Sequence, residues 1–175
     1  MEEIILVDEQ DREVGFAEKV AAHRDGGRLH RAFSIVLFNA RGEMFLQLRA
    51  AAKYHFGGLW TNACCGHPRR GEELEPAARR RLREELGIEV ELRKVFAFTY
   101  SATDAGSGLT EREFDHVLVG SFDGEPQPDP EEMDDTRWID CAELERDLRE
   151  RPEAYTPWFA RVVERLPELR RAAAT

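Results

Sequence analysis

The residues best suited to chemistry fall in nine consecutive positions, Trp60-Thr61-Asn62-Ala63-Cys64-Cys65-Gly66-His67-Pro68. Two thiols and an imidazole in a stretch punctuated by Gly and Pro read as a reactive loop rather than as packing. Adjacent Cys64 and Cys65 lack C-x-x-C spacing and cannot readily both face one tetrahedral ion. That weighs against a zinc-stabilised binding domain and against a dithiol redox site. With Cys141 there are three cysteines, too few and too unevenly spaced for a disulfide framework, so reduced thiols are expected.

Further candidates lie at a distance. His23 and His30 flank Gly26-Gly27, and with His67 they shift the reading from isolated imidazoles towards metal ligation. In the predicted strand 111–119, period two places Glu111, Glu113 and Asp115 on one face. Carboxylates that close repel one another, so either a cation sits between them or the strand is a solvated edge; the residues alone support both equally. Of 25 Lys plus Arg only three are Lys: Lys19, Lys53 and Lys94. Lys19 precedes the His segment and Lys53 the Cys stretch, either by chance or because a flexible ammonium suits a phosphate oxygen there. Arg49, closing a strand, is either a surface charge or a phosphate contact.

The elements that must position these groups follow from periodicity. Residues 3–8 and 13–16 read as strands around a turn at 9–12, and 18–22 as a short helix. The apolar run 32–38 reads as a buried strand, returning through a hairpin turn at 39–42 into 44–48. Residues 50–58 are irregular. Leu74, Ala78, Leu82 and Leu86 make one stripe of a helix over 73–86, with Arg80/Glu84 and Arg81/Glu85 paired on other faces. Strands are predicted at 90–100 and 137–139, a loop at 101–109, helices at 141–150 and 155–166, and a frayed tail after Leu169. Trp158 would open the last helix, as core or as a lid.

One domain over 1–175 is the natural prior for this length, with 170–175 as the frayed tail. A net charge of −10 weighs against nucleic-acid binding. The apolar runs are too short to span a membrane and Met1-Glu2-Glu3 lacks a signal-peptide layout, so a cytoplasmic location is expected. A monomer is the default expectation, on no feature of the sequence.

Gly71 to Ile88 resembles the Nudix box, with Gly71, Arg80, Leu82, Glu84, Glu85, Gly87 and Ile88 matching and Ala77 and Arg81 standing where the pattern has Glu. Losing one carboxylate and gaining a guanidinium should spoil Nudix hydrolysis. A degenerate Nudix helix behind the Cys stretch resembles the type 1 isopentenyl-diphosphate delta-isomerases. Glu18 to His23 with Arg28-Leu29-His30, Glu111-Arg112-Glu113 and Thr156-Pro157-Trp158 are similar to that family's other segments, so the resemblance runs from about residue 3 to 165.

The resemblance implies an α/β (α+β) Nudix-like fold, a mixed sheet sandwiched between helices, that moves a C=C bond of a prenyl diphosphate. It implies Cys65 and Glu113 as the proton-transfer pair, Tyr100 as helper and Trp158 beside a carbocation. His23, His30, His67, Glu111 and Glu113 would hold Mn²⁺ or Zn²⁺ (or Mg²⁺). A second Mg²⁺ would bridge the diphosphate to Glu85 and the Cys65 carbonyl, with Lys19, Arg49, Lys53 and Arg81 around it. No flavin or nicotinamide is expected. The chief rival is a Nudix hydrolase of a diphosphate.

Overall fold

A computed structural model describes residues 2–175. Its strands are β1 (Glu3–Val7), β2 (Glu13–Glu18), β3 (His30–Phe38), β4 (Met44–Arg49), β5 (Trp60–Thr61), β6 (Cys64–Gly66), β7 (Arg93–Thr103), β8 (Thr110–Ser121) and β9 (Met133–Ile139). The helices are α1 (Lys19–Ala22), α2 (Leu74–Leu86), α3 (Cys141–Glu150), α4 (Phe159–Val163) and α5 (Leu166–Ala173).

The chain is built around β3. It pairs antiparallel with β1, β4 and β6 and parallel with β8. Its run of large apolar residues is buried on both faces, as a central strand requires. Alternation divides that run between two cores. Phe33, Ile35 and Leu37 pack with Ala78, Leu82 and Leu86 of α2. Val36 and Phe38 pack with Phe159, Val162 and Leu166 on the opposite side. The expected mixed sheet between helical layers is therefore present. Leu82 and Leu86 are fully buried, each worth about 1.5–3 kcal/mol over exposure. Gly87, at φ 65°, ends α2 in the left-handed conformation that favours glycine.

Several boundaries differ from the periodicity reading. Residues 101–103, expected in a loop, extend β7, because Ser101, Ala102 and Thr103 continue the register opposite Arg112, Glu111 and Thr110. The strand expected at 137–139 begins at Met133, since all of β4 pairs along it. Of the helix expected at 155–166 only α4 forms; a 3₁₀ turn (Pro152–Ala154) lies before it, and a separate helix, α5, starts at Leu166 with Pro167 in its first turn. The tail expected to fray continues as helix to Ala173, because Leu169 is fully buried and Ala172 and Ala173 pack on the core. The Cys stretch, expected as a loop, contains β5 and β6. Among the described residues no helix is long and apolar enough to cross a membrane.

Candidate active site

Strand β6 lies on one edge of β3, with Cys65 opposite Ser34 and Cys64 opposite Ile35. Neighbours on a strand point to opposite faces. Cys64 is therefore fully buried in the core under α2, whereas Cys65 packs on the other side and lines a cavity. Gly66 permits the close approach that follows: a Cβ there would lie 2.8 Å from the Phe33 ring and 3.1 Å from Arg81 Cγ. The Cys65 thiol donates to Asn62 Oδ1 at 3.4 Å, and Ser34 Oγ lies 3.5 Å from the sulfur. Asn62 is itself fixed, its Nδ2 donating to the carbonyls of Ile35 and Cys64. Burial of the sulfur pushes the thiol up to about 12, so it keeps its proton at neutral pH.

On the other edge of β3, parallel pairing sets His30 opposite Glu113. Strand period two then brings Glu111 to the same face. His23 arrives from the end of α1, whose N-cap is the Glu18 carboxylate. His67 follows β6 directly. One ligating atom from each of His23, His30, His67, Glu111 and Glu113 lies within 4.8 Å of all the others. The backbone sets the tautomers. His23 Nδ1–H donates to Lys19 O at 2.6 Å and His30 Nδ1–H to Arg28 O at 2.7 Å, which leaves each Nε2 facing inwards. His30 Nε2 and His67 Nε2 meet at 3.2 Å, and His67 Nε2 lies 2.9 Å from Glu113 Oε1. Imidazole nitrogens and carboxylate oxygens converging without a positive side chain suit a divalent cation. Burial disfavours ionisation of Glu111, but hydrogen bonds from His23, which donates through Nε2 only as the imidazolium, and from His55 outweigh it and hold the carboxyl well below its usual range. Burial pushes His67 down to about 4.

A second charged cluster lies over α2. Arg81 binds Glu85 and reaches Glu132 at 3.1 Å, and Lys53 also binds Glu132. Gln47 donates to Glu85 at 3.4 Å. Arg49 donates to the carbonyls of Phe56 and His55 at 3.0 and 3.1 Å and lies over the Trp158 ring at 5.5 Å. Lys19 Nζ is 3.4 Å from Glu2. Tyr100 OH donates to Glu113 at 2.5 Å. Trp158 is 3% exposed and packs 5.9 Å from the Tyr100 ring, so it forms a wall of the cavity rather than an open lid.

Of the residues to which the resemblance gave a site role, all line this one cavity except His23 and His30, which are fully buried; Cys64 and Asp115, singled out by residue type and strand period, do not line it. The geometry is that of a charged pocket with a thiol and a tyrosine–glutamate pair at its base. The NUDIX domain matches residues 28–159. The chain is 54% identical over 165 residues to isopentenyl-diphosphate Delta-isomerase 2 of Aromatoleum aromaticum, covering 94% of this chain and 86% of that one. It is 48% identical over 168 residues to the isopentenyl-diphosphate Delta-isomerase of Halorhodospira halophila, covering 95% and 96%.

The chain belongs to the isopentenyl-diphosphate delta-isomerase family of Nudix proteins.

Its fold is similar to that of DR0079 from Deinococcus radiodurans, with a TM-score of 0.78 at 24% identity, covering 94% of this chain and 99% of that one. The two departures from the Nudix box in this isomerase-family chain now have physical settings. Ala77 is fully buried in the core beneath α2, where a carboxylate would lack a partner. Arg81 turns its guanidinium towards the cavity, against Glu85.

Sequence reasoning passed over three groups in the site. His55 touches Glu111, Glu132 bridges Lys53 and Arg81, and Asn62 holds Cys65. His55 and Glu132 stand in irregular segments without periodicity, so no pattern could single them out. Asn62 lay inside the reactive stretch and could have been flagged by its side chain's affinity for backbone groups.

Proposed function

We propose that this chain interconverts isopentenyl diphosphate and dimethylallyl diphosphate by adding a proton at one carbon and removing one from another. The observation that carries the reading is that one cavity holds the protonated Cys65 thiol, the Tyr100–Glu113 pair and the Trp158 wall next to a cluster of cations.

An unactivated alkene needs an acid and a base, exclusion of water and a firm hold on the diphosphate. Cys65 and Glu113 are the proton-transfer pair, and Tyr100, hydrogen-bonded to Glu113, assists at that carboxylate. Trp158 and Tyr100 offer π-faces to positive charge developing on the tertiary carbon. Lys19, Arg49, Lys53 and Arg81 bind the diphosphate. His23, His30, His67, Glu111 and Glu113 would hold Mn²⁺, Zn²⁺ or Mg²⁺, and Glu85 with the carbonyl of Cys65, both residues of the cavity lining, would take the Mg²⁺ that accompanies the substrate. A divalent cation in the His/Glu cluster would lower the proton affinity of Glu113 and fix its orientation. The reading includes a single-domain, cytoplasmic monomer that uses no flavin, nicotinamide, nucleic acid or membrane.

The test is incubation with isopentenyl diphosphate and Mg²⁺ in D₂O, followed by NMR. Dimethylallyl diphosphate carrying solvent deuterium, without free phosphate, is the expected result; release of phosphate or a monophosphate would replace this reading with hydrolysis. Cys65→Ala should lower turnover by at least about 10²–10⁴-fold with fold and metal retained. Cys64→Ala, in the apolar core, should leave turnover unchanged.

A further inference from the structure

The loop between β4 and β5 delivers an imidazole that none of the five clustered groups accounts for. Its tip is held in an unusual path. Phe56 adopts φ 48°, a left-handed conformation that bulky residues avoid. Gly57 runs so close to the preceding turn that a Cβ would lie 2.8 Å from Ala51 O and 2.9 Å from Ala50 O. Arg49, at the end of β4, donates to the carbonyls of Phe56 and His55 and ties the tip down. The outcome is that His55, in a surface loop, is only 5% exposed.

Its ring meets Glu111. Nε2 of His55 is hydrogen-bonded to Glu111 Oε1, while His23 Nε2 lies 3.0 Å from the other oxygen, Oε2. The Tyr54 ring packs against His55 with centroids 4.2 Å apart and planes tilted by 31°, and flanks it on one side. Nδ1 of His55 is buried without a hydrogen-bond partner, so Glu111 is the polar contact that anchors the side chain. His55 is not among the five residues whose ligating atoms are mutually close.

We propose that His55 is a positioning residue: it donates Nε2–H to Glu111 and fixes the rotation of that carboxylate for a divalent cation, without ligating the cation itself. An acidic ligand buried at 4% exposure and free to turn would need to be ordered by the incoming ion. With one oxygen held by His55, that ordering is already present before the ion arrives. Such outer hydrogen bonds typically change metal affinity by about 10–100-fold. The inference rests on the five-residue metal site proposed above.

The experiment is competition for Zn²⁺ and for Mn²⁺ against a chromophoric chelator, using the full chain with circular dichroism as the control for folding. His55→Phe should weaken metal binding about 10–100-fold. His55→Gln, whose amide N–H falls near the place of Nε2, should restore binding to within a few-fold of the parent. His55→Asn carries the same amide too short to reach Glu111, so it should bind as poorly as His55→Phe; the Gln/Asn pair decides the matter if the Phe variant does not fold. Equal affinity in Asn and Gln variants, whether both strong or both weak, would overturn the positioning role. Failure of the parent chain to bind either ion would overturn the five-residue site and this role together, whereas tight parental binding indifferent to position 55 overturns this role alone.

Discussion

The two charged clusters that share the cavity balance their charge in different ways. Over α2, the guanidinium of Arg81 and the ammonium of Lys53 face the carboxylates of Glu85 and Glu132, so the cluster is neutral from its own side chains. Near the start of β8, Glu111 and Glu113 face imidazoles, none of which carries a permanent charge. Burial disfavours a charged His23, yet Glu111 raises its proton affinity above the ordinary value, as expected where carboxylates lack a fixed counter-charge. The first cluster can take an anion only by giving up internal ion pairs or by admitting a cation with the anion. The second is arranged for a cation alone. On the function proposed above, the first cluster would receive the metal that accompanies the diphosphate and the second the metal held by the His/Glu group.

The largest effect should come from breaking the second cluster at its shared residue. Glu113→Gln removes a proposed ligand and a proposed proton-transfer group together, and should cut turnover by about 10⁴-fold while weakening metal binding in chelator competition. Weak metal binding with turnover preserved would confine Glu113 to the metal. Next, Arg81→Ala should raise KM for the diphosphate about 10–100-fold with kcat nearly unchanged. It leaves the 4% exposed Glu85 without its main counter-charge, so the melting temperature should fall by the equivalent of about 3–5 kcal/mol. An unchanged KM would assign Arg81 to ion-pairing alone.

The smallest effect concerns pH. His67 is held neutral down to about 4, against an ordinary value of 6.5. Between those values the unfolded chain binds more protons, so stability falls as pH drops through that window, by about 3 kcal/mol in all. His23 acts oppositely: its raised proton affinity stabilises the fold at low pH, and that contribution is lost as pH rises through the raised folded value. Denaturant melts with a chelator present, from pH 7 to 4.5, should show a shallower loss in His67→Gln than in the parent chain. Equal slopes would mean that His67 is not the group responsible.

Much of this arrangement was legible before the structure. The apolar run at 32–38 has the length and composition of a buried strand, and the four-residue stripe of Leu74, Ala78, Leu82 and Leu86 carries the period of a helix with one buried face. The reactive stretch announces itself by residue type. The breaks around Pro157 and Pro167, the short strands β5 and β6, and the helical tail depend on long-range partners, which leave no local periodic signal.

By itself, then, the sequence determined which groups are present and which face of each regular element they share: Glu111 with Glu113, Arg81 with Glu85. Only the tertiary structure decided which of these faces meet. Register across β3 brought His30 to Glu113 and Ser34 to Cys65, and turned Cys64 into the core. The β4–β5 loop carried His55 inwards to Glu111. Side-chain alternation is a local property of the backbone, whereas pairing register and loop path are set by the lowest free energy of the whole packed chain.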